Sequence, residues 1–597
     1  DAVHRHDCPV FMQLFHAGPQ AFLTGGLRTI SASSLTEKEV AELTASMEPK
    51  QLTIPEIEEL VDKFASAAVR ACEAGFDGVE VNGARMHLIN SFLSRAWNKR
   101  LDRYGCESLE NRSRFFVEIV REIKKRLGKN FPVSTLINGV ELRIDKGITV
   151  EEARGFAKIL QNAGADVIHV RAFGYHGFQS IDASPRGIYH SETAKPLPRE
   201  LDWSRKGRGA MTPLAAAVKQ VVSVPVIAVG GLDPFVGEMI LREGKADFIG
   251  ICKGLMADPG IANKVAAGRV EDIAPCADCG DCARALMAMV QKPEFVPIRC
   301  RVNAALGGAE DYEIRPALKR KRVVVAGGGP GGMEAARVSA IRGHDVTLFE
   351  KERRLGGLLP WVALIKGLDV DSGAMLLANY LQSQIAKLGV RVRLGEEFRP
   401  SVIQEIHPDV VILATGAFPT VPDIPGINNG PVMHIADLHR RMKDDLEVME
   451  PGVMRWMSRY WDCVGKNVVI AGGGIEGSAL AEFLVERCRN VTLVDEAAIW
   501  GDEPLVRSHS MEKVTRLPGV RYEEITAGGL IVLTAEGKRL TLEADTIITA
   551  PSPRRDVELY RSVRGMVPEV YLLGMDDRDP ASIMNAIGNG YRVAKAL

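Results

Sequence analysis

Three cysteines fall close together in Cys276-Ala-Asp-Cys279-Gly-Asp-Cys282, and a fourth follows at Cys300. Thiols so near in sequence cannot all pair with one another without strain. Their thiolates can instead converge on one metal centre while the fourth arrives from a later loop. Tetrahedral zinc also accepts four thiolates, although structural zinc is usually held by two separated Cys-x2-Cys knuckles. A tight triplet with one distant partner favours a 4Fe-4S cube on Cys276, Cys279, Cys282 and Cys300.

Two glycine-rich stretches carry a different chemistry. Lys321-Arg-Val-Val-Val-Ala-Gly327-Gly-Gly329-Pro-Gly-Gly332 is a basic start, an apolar strand and a glycine loop that opens a helix. In that setting Gly327 permits the turn, Gly329 lets a pyrophosphate approach and Gly332 allows close helix packing. Glu350 ends the next strand, 23 residues after Gly327. Asn467-Val-Val-Ile-Ala-Gly472-Gly-Gly474-Ile-Glu-Gly477 repeats the pattern, with Asp495 again 23 residues after its first glycine. One such fingerprint is weak evidence, but two at the same spacing predict two dinucleotides. Asp495 and Glu496 would repel a 2′-phosphate, so NADH is expected in preference to NADPH at the second.

Ahead of both, short apolar or β-branched runs alternate with helical patterns. Strands are predicted at Val10–Phe15, Gly78–Asn82, Pro132–Asn138, Asp166–Arg171, Pro225–Gly230 and Asp247–Cys252, with a helix over Ile54–Ala74. Six strand-helix units in a chain that opens on Asp1 rather than Met predict a (β/α)8 barrel whose first two units precede this sequence. An open six-stranded sheet is the alternative. Barrel chemistry gathers just after each strand, which singles out Gln13 and His16, Asn82 to His87, and Arg171 to Gln179. Gly230 and Gly231, with Gly250 and Lys253, follow the last two strands and suit the phosphate tail of FMN. Arg85 and Arg171 can grip a carboxylate or phosphate, or can simply be exposed strand-end arginines.

With 597 residues the chain has length for several cores. Its 75 basic and 76 acidic side chains leave a net charge of -1 and no footprint for nucleic acid or an anionic membrane. No apolar run is long enough to span a bilayer. Four of the ten cysteines are committed to one site and the rest are scattered, which points to a reducing compartment, the cytoplasm.

Residues 1–275 resemble the flavin barrel of the old yellow enzyme family, in its long iron-sulfur branch. The resemblance lies in Gln13-Leu-Phe-His16-Ala-Gly18, Phe76-Asp-Gly-Val-Glu80, Leu88-Ile-Asn-Ser-Phe-Leu93, Ser108-Leu-Glu-Asn-Arg112, Val226-Ile-Ala-Val-Gly-Gly231 and Asp258-Pro259. It implies FMN in the barrel, held by Gln13 and the late glycines, and reduction of an activated alkene. His87 in Met86-His87-Leu88-Ile89-Asn90 occupies the place of a tyrosine acid in relatives, and Gly174-Tyr175-His176 matches a Gly-Trp-His segment. By that resemblance His87 and His176 are the acid pair, a role that suits groups of pKa near 7. Asn82 and Arg85 stand where many members bind a substrate carbonyl, so Asn82, Arg85, Arg171 and Tyr175 are expected at the substrate. His169 reads as packing. Leu136 replaces an arginine that relatives place near the flavin, and the cysteine spacing departs from the family's Cys-x2-Cys-x3-Cys.

The remainder resembles the FAD/NAD(P) reductases of the glutathione reductase type, aided by Leu355-Gly356-Gly357, Ala414-Thr415-Gly416 and Gly574-Met-Asp576. That resemblance implies FAD on Gly327, Gly329, Gly332, Glu350, Gly357 and Asp576, and NADH on Gly472, Gly474, Gly477 and Asp495. The expected organisation is an FMN barrel over 1–275 and an iron-sulfur segment over 276–320. An FAD domain over 321–430 and 551–597 then encloses an NAD(H) domain over 431–550. Within the last, Asp437–Gly465, with Trp456, Met457, Tyr460 and Trp461, reads as an amphipathic packing helix or a subunit contact.

The activity implied is an NADH-dependent ene-reductase that passes electrons from NADH to FAD, 4Fe-4S, FMN and an enoate, enoyl-CoA or dienone. Two alternatives stay open: an amine dehydrogenase that donates to an external electron-transfer protein, and a non-catalytic electron-relay subunit. A homo-oligomer is compatible with each.

Overall fold

The helix Ile54–Glu73 illustrates how the first part of the chain is assembled. Thr53 caps it, its hydroxyl accepting the Glu56 N–H while the Glu56 carboxylate accepts the Thr53 N–H. Ile57, Phe64, Ala65, Ala68 and Ala71 bury one stripe of the helix. The same reciprocal cap opens Val150–Ala163 at Thr149 and Glu152.

Between such helices lie six strands, Phe11–Leu14, Gly78–Gly83, Val133–Leu142, Val167–Gly174, Val226–Ala228 and Phe248–Ile249, hydrogen-bonded in chain order. Every pairing is parallel. Six consecutive strands of a (β/α)8 barrel have this order. The third and fourth strands run beyond the predicted ends because pairing continues past an irregularity between Asn138 and Val140. The last strand is shorter than predicted.

The computed structural model describes residues 2–20, 29–43, 48–175, 188–189, 196–283, 285, 297–307, 313–366, 373–418, 420–428, 430–460, 463–497, 509–555, 557–574 and 582–597. Two compact units make up the chain, one of Asp1–Leu255 with Cys282–Val296 and one of Met256–Asp281 with Pro297–Leu597. The barrel strands lie in the first.

The second unit holds two parallel five-stranded sheets. One is ordered Arg391–Leu394, Asp345–Glu350, Arg322–Ala326, Val410–Leu413, Glu569–Leu572. The other is ordered Val432–His434, Thr546–Thr549, Asn467–Ala471, Asn490–Asp495, Thr515–Pro518. Each glycine fingerprint therefore follows the middle strand of its sheet, where flanking strands pair with both edges and helices cover the faces. An antiparallel three-stranded sheet, Arg521–Thr526, Gly529–Leu533 and Arg539–Glu543, packs beside the second. In the segment between the sheets, Leu438, Met442, Leu446 and Met454 are buried, whereas Trp456 and Tyr460 stay exposed. Trp461 lies outside the described residues.

The helix Ile583–Ala596 lies against Pro330–Ile341 so closely that a Cβ at Gly590 would collide with the Gly331 carbonyl oxygen. Gly590→Ala is expected to destabilise the second unit by about 1–3 kcal/mol, read as a lower thermal midpoint. Gly452→Ala, where nothing stands within 4 Å of the new carbon, is expected to leave that midpoint within error.

Candidate active site

The turn after the strand Gly78–Gly83 carries three of the candidates. Asn82 folds the chain back, its Oδ1 accepting the Ala84 N–H at 3.0 Å. Arg85 follows at φ 59°, a left-handed conformation that costs an ordinary residue roughly 1–2 kcal/mol. Asn138, in the neighbouring strand just before its irregularity, offsets that cost. Its Oδ1 accepts the Arg85 N–H at 3.0 Å and its Nδ2 donates to the Arg85 carbonyl at 3.1 Å. Beneath it Glu141 accepts from Asn90 Nδ2 at 2.7 Å, Ser94 Oγ at 2.6 Å, the Ile148 N–H at 2.9 Å and Asn138 Nδ2 at 3.3 Å. Burial pushes the Glu141 carboxyl upward despite these donors. Neither Asn138 nor Glu141 was singled out from sequence, and a run of polar residues inside an otherwise buried strand was the available signal.

A second polar chain crosses the barrel interior. Asn82 Nδ2 donates to Gln13 Oε1 at 3.1 Å, and Gln13 Nε2 donates to Glu80 Oε1 at 2.6 Å. Glu80 Oε2 lies 3.0 Å from Ser134 Oγ and 2.9 Å from His169 Nδ1. Although burial opposes it, hydrogen bonds led by that of His169 hold the Glu80 carboxyl below its usual range. The packing role expected for His169 is thus replaced by pairing with a carboxylate, because the strand turns this side chain inward beside Glu80.

His87 is nearly buried, its ring 5.0 Å from that of Phe15. Burial, reinforced by the Arg85 and Arg171 guanidiniums and by His16, lowers it to about 3. The expectation of a pKa near 7 therefore gives way to an imidazole that is neutral at neutral pH. Nδ1 is buried with no hydrogen-bond partner. His16 accepts the Gly18 N–H on Nδ1 at 2.9 Å and is itself lowered by burial and Lys63. Tyr175, expected at the substrate, is wholly buried, accepts from Trp97 Nε1 at 2.8 Å and meets Phe173 edge-on at 4.9 Å. Its side chain packs in the core. His176 lies outside the described residues.

Gly230 and Gly231 both have positive φ, 112° and 66°, and bend the chain after Val226–Ala228. A Cβ at Gly231 would have no neighbour closer than 3.5 Å, so the turn has room beside it for a phosphate. Arg208 pairs with Asp233 at 3.1 Å next to this turn, a cation not singled out from sequence. Gly250 differs, since a Cβ there would come within 2.7 Å of Val229. Lys253 begins the short helix Lys253–Ala257.

In the second unit the two fingerprints are built alike. Glu350 accepts the Gly328 N–H at 2.7 Å and the Glu352 N–H at 2.9 Å. Asp495 accepts the Gly473 N–H and, at 2.7 Å, that of Ala497. A Cβ at Gly332 or Gly477 would strike the carbonyl oxygen of Gly327 or Gly472, so helix and turn touch at both places. The central glycines face open space: nothing lies within 4 Å at Gly474, and at Gly329 only the Gly357 Cα, at 4.0 Å. These glycine-walled openings fit FAD and NAD(H) pyrophosphates. Asp576 lies outside the described residues.

Cys276, Cys279 and Cys300 belong to the second unit and Cys282 to the first. Cys276 Sγ accepts the Asp278 N–H and Cys300 Sγ the Val302 N–H, both at 3.4 Å. Arg301 Nε donates to Asp281 Oδ2 at 3.0 Å, tying the loop of Cys300 to that of Cys279. Among the described residues no three His, Cys, Asp or Glu side chains converge as a metal-ion site. Within the second unit Cys276 and Cys300 suit thiolate ligation, because backbone N–H groups point at both sulfurs.

Residues 1–272 match the model of the NADH:flavin oxidoreductase / NADH oxidase family, and residues 321–562 that of pyridine nucleotide-disulphide oxidoreductases. An NADH oxidase of Thermoanaerobacter brockii is 34% identical over 618 residues, which span 100% of this chain and 86% of that protein. The chain belongs to the NADH:flavin oxidoreductase family, in its long iron-sulfur branch. Within the family, a cinnamate reductase of Clostridium sporogenes is 30% identical over 100% of this chain and 86% of its own length. The solved structure of a 2-naphthoyl-CoA reductase with 2-naphthoyl-CoA superposes with a TM-score of 0.79 at 28% identity, covering 100% of this chain and 86% of that one. Members of this family are oxidoreductases, which makes this chain an enzyme that uses flavin and NADH.

Because the folded pKa of His87, about 3, lies below its ordinary 6.5, the unfolded chain binds more protons between those values. Stability of the first unit is therefore expected to fall as pH drops from 6.5 toward 3. His87→Asn is expected to flatten that slope in denaturant titrations at several pH values.

Proposed function

We propose that this protein is an NADH-dependent ene-reductase acting on an activated carbon-carbon double bond in an enoate, enoyl-CoA or dienone. The observation that carries the reading is His87 beyond a strand end, with its unpartnered Nδ1 and with the Arg85 and Arg171 charges bearing on it. A neutral imidazole with a free ring nitrogen can relay a proton to a substrate carbon, and the cations can steady the negative charge that hydride addition creates. The names of two relatives, a cinnamate reductase and a 2-naphthoyl-CoA reductase, support the same chemistry.

In this reading Gln13, Gly230, Gly231, Gly250 and Lys253 face FMN, while Gly327, Gly329, Gly332, Glu350 and Gly357 face FAD, with Asp576 as its further partner. Gly472, Gly474, Gly477 and Asp495 receive NADH, and Cys276, Cys279, Cys282 and Cys300 hold a 4Fe-4S cluster. When bound, these groups supply hydride transfer at either flavin and one-electron transfer between them. Asn82, Arg85 and Arg171 orient the alkene, and His87, with His176 as its counterpart, handles the proton. No described helix is long and apolar enough to cross a membrane.

Anaerobic addition of NADH is expected to bleach the flavin absorbance, and oxidation of further NADH to require an added enoate, enoyl thioester or dienone. NADH oxidation that ignores all three would overturn the reading. Cys300→Ser is expected to lower bound iron and sulfide and to cut alkene reduction more than about tenfold, while NADH still reduces the flavin. Asp495→Ala is expected to lower the NADH to NADPH ratio of kcat/KM by about tenfold or more, since it removes a like charge that a 2′-phosphate would meet.

A further inference from the structure

We infer that a cavity between the first dinucleotide fold and the turn after Cys300 binds a small oxyanion, of the phosphate or carboxylate class, through Lys264, Arg337 and Tyr380. The flavin, nucleotide and alkene chemistry described above uses none of these residues.

The cavity holds about 260 Å³ and lies wholly within the second unit. Its walls come from separate stretches of chain. Asp258 and Lys264 belong to the segment that leads to Cys276, and Val302 to the turn after Cys300. Glu334 and Arg337 stand on the helix Pro330–Ile341, which the first glycine fingerprint opens, and Tyr380 on the helix Gly373–Lys387. The Val302 N–H donates to Cys300 Sγ at 3.4 Å, so this wall is continuous with the thiolate loop. Such a volume admits a few heavy atoms and is too small for a nucleotide.

Hydrogen-bonding capacity on these walls is lopsided. Asp258 Oδ1 accepts the Gly260 N–H at 2.9 Å, and its Oδ2 accepts from Lys264 Nζ at 2.6 Å and the Ala274 N–H at 2.8 Å. The enclosed Glu334 accepts from Arg337 Nε and Nη2, each at 2.8 Å. Both carboxylates are thereby engaged, whereas the donors are not exhausted. Lys264 makes one further bond, to the Asp272 carbonyl at 2.8 Å, and an ammonium with three N–H groups keeps one in reserve. Among the described residues Arg337 donates only through Nε and Nη2, which leaves Nη1. The Tyr380 hydroxyl likewise meets no hydrogen-bonding partner among the described residues. Burial pushes it up to about 12, although Arg337 pulls the other way, so it keeps its proton and remains a donor.

Reserve donors that line one cavity call for an acceptor. A metal cation would meet Lys264 and Arg337 with like charge, and water donates as readily as it accepts. A small oxyanion presents acceptors alone and gains charge-assisted hydrogen bonds from both cations. Because Lys264 and Arg337 each already face a carboxylate, hydrogen bonds rather than net charge would hold the ion.

The test uses the holoenzyme, purified without oxygen in chloride buffer and saturated with NAD⁺ to occupy the turn at Gly474. Calorimetric titration with inorganic phosphate at constant ionic strength is expected to show one saturable site per chain that added chloride does not reproduce. Tyr380→Phe deletes only the unengaged hydroxyl and is expected to weaken phosphate about tenfold, while NADH bleaches the flavin at the wild-type rate. Arg337→Lys keeps a charge beside Glu334 but loses Nη1, and is expected to weaken binding at least as much. Parallel titrations with sulfate and acetate separate the sources: binding of sulfate with phosphate assigns tetrahedral oxyanions, and binding of acetate assigns carboxylates. Saturable binding of none of the three, heats that chloride reproduces, or an affinity unchanged in Tyr380→Phe would overturn the site. Should Arg337→Lys not fold, Tyr380→Phe decides alone.

Discussion

Parallel strands hidden on both faces leave little space for polar side chains along their length, and most of this molecule follows from that constraint. Val133–Leu142 is buried at every position, and the middle strands of both nucleotide sheets are nearly so. Chemistry is thereby driven to the strand ends. The chain meets this limit in the same way three times, by placing glycine, arginine or histidine immediately after an apolar run. Several of the polar groups in the barrel are joined in hydrogen-bonded sets: Asn82, Gln13, Glu80, Ser134 and His169 in one, Asn90, Ser94, Asn138 and Glu141 in the other. A half-satisfied network in that environment would cost more than an apolar replacement.

The two networks treat their carboxyls in opposite ways. Glu80 is held below its ordinary range by hydrogen bonds led by His169, whereas the completely enclosed Glu141 is pushed upward by the loss of water. Their difference is one of surroundings rather than of residue type. His87 shows the same logic with the sign reversed, since both burial and neighbouring cations disfavour its protonated form. An imidazole kept neutral in this way relays a proton by taking one on one ring nitrogen as the other releases its own, which ties its service to the arrival of a partner for Nδ1.

The nucleotide folds are repeated solutions to one steric problem. In each, the first glycine turns the chain, the last lets helix and turn touch, and a carboxylate from the neighbouring strand accepts the N–H of the residue after the first glycine. The middle glycine is left facing open space. The first and last of these positions tolerate no side chain, so the pattern is legible in the sequence alone.

What the amino-acid order determined by itself was therefore whatever depends on neighbours along the chain. That includes the alternation of strand and helix, both fingerprints with Glu350 and Asp495, the late glycines at Gly230 and Gly231, and the family that the motifs announce. Tertiary structure alone decided what depends on residues brought from different strands. It buried Tyr175 in the core, turned His169 toward Glu80, lowered His87 far from neutrality, and joined Asn138 to Arg85 across 53 residues of sequence. The physical reason is that steric demands of glycine and the periodicity of burial are local, whereas desolvation and charge coupling fall off with distance through space and leave no trace in spacing.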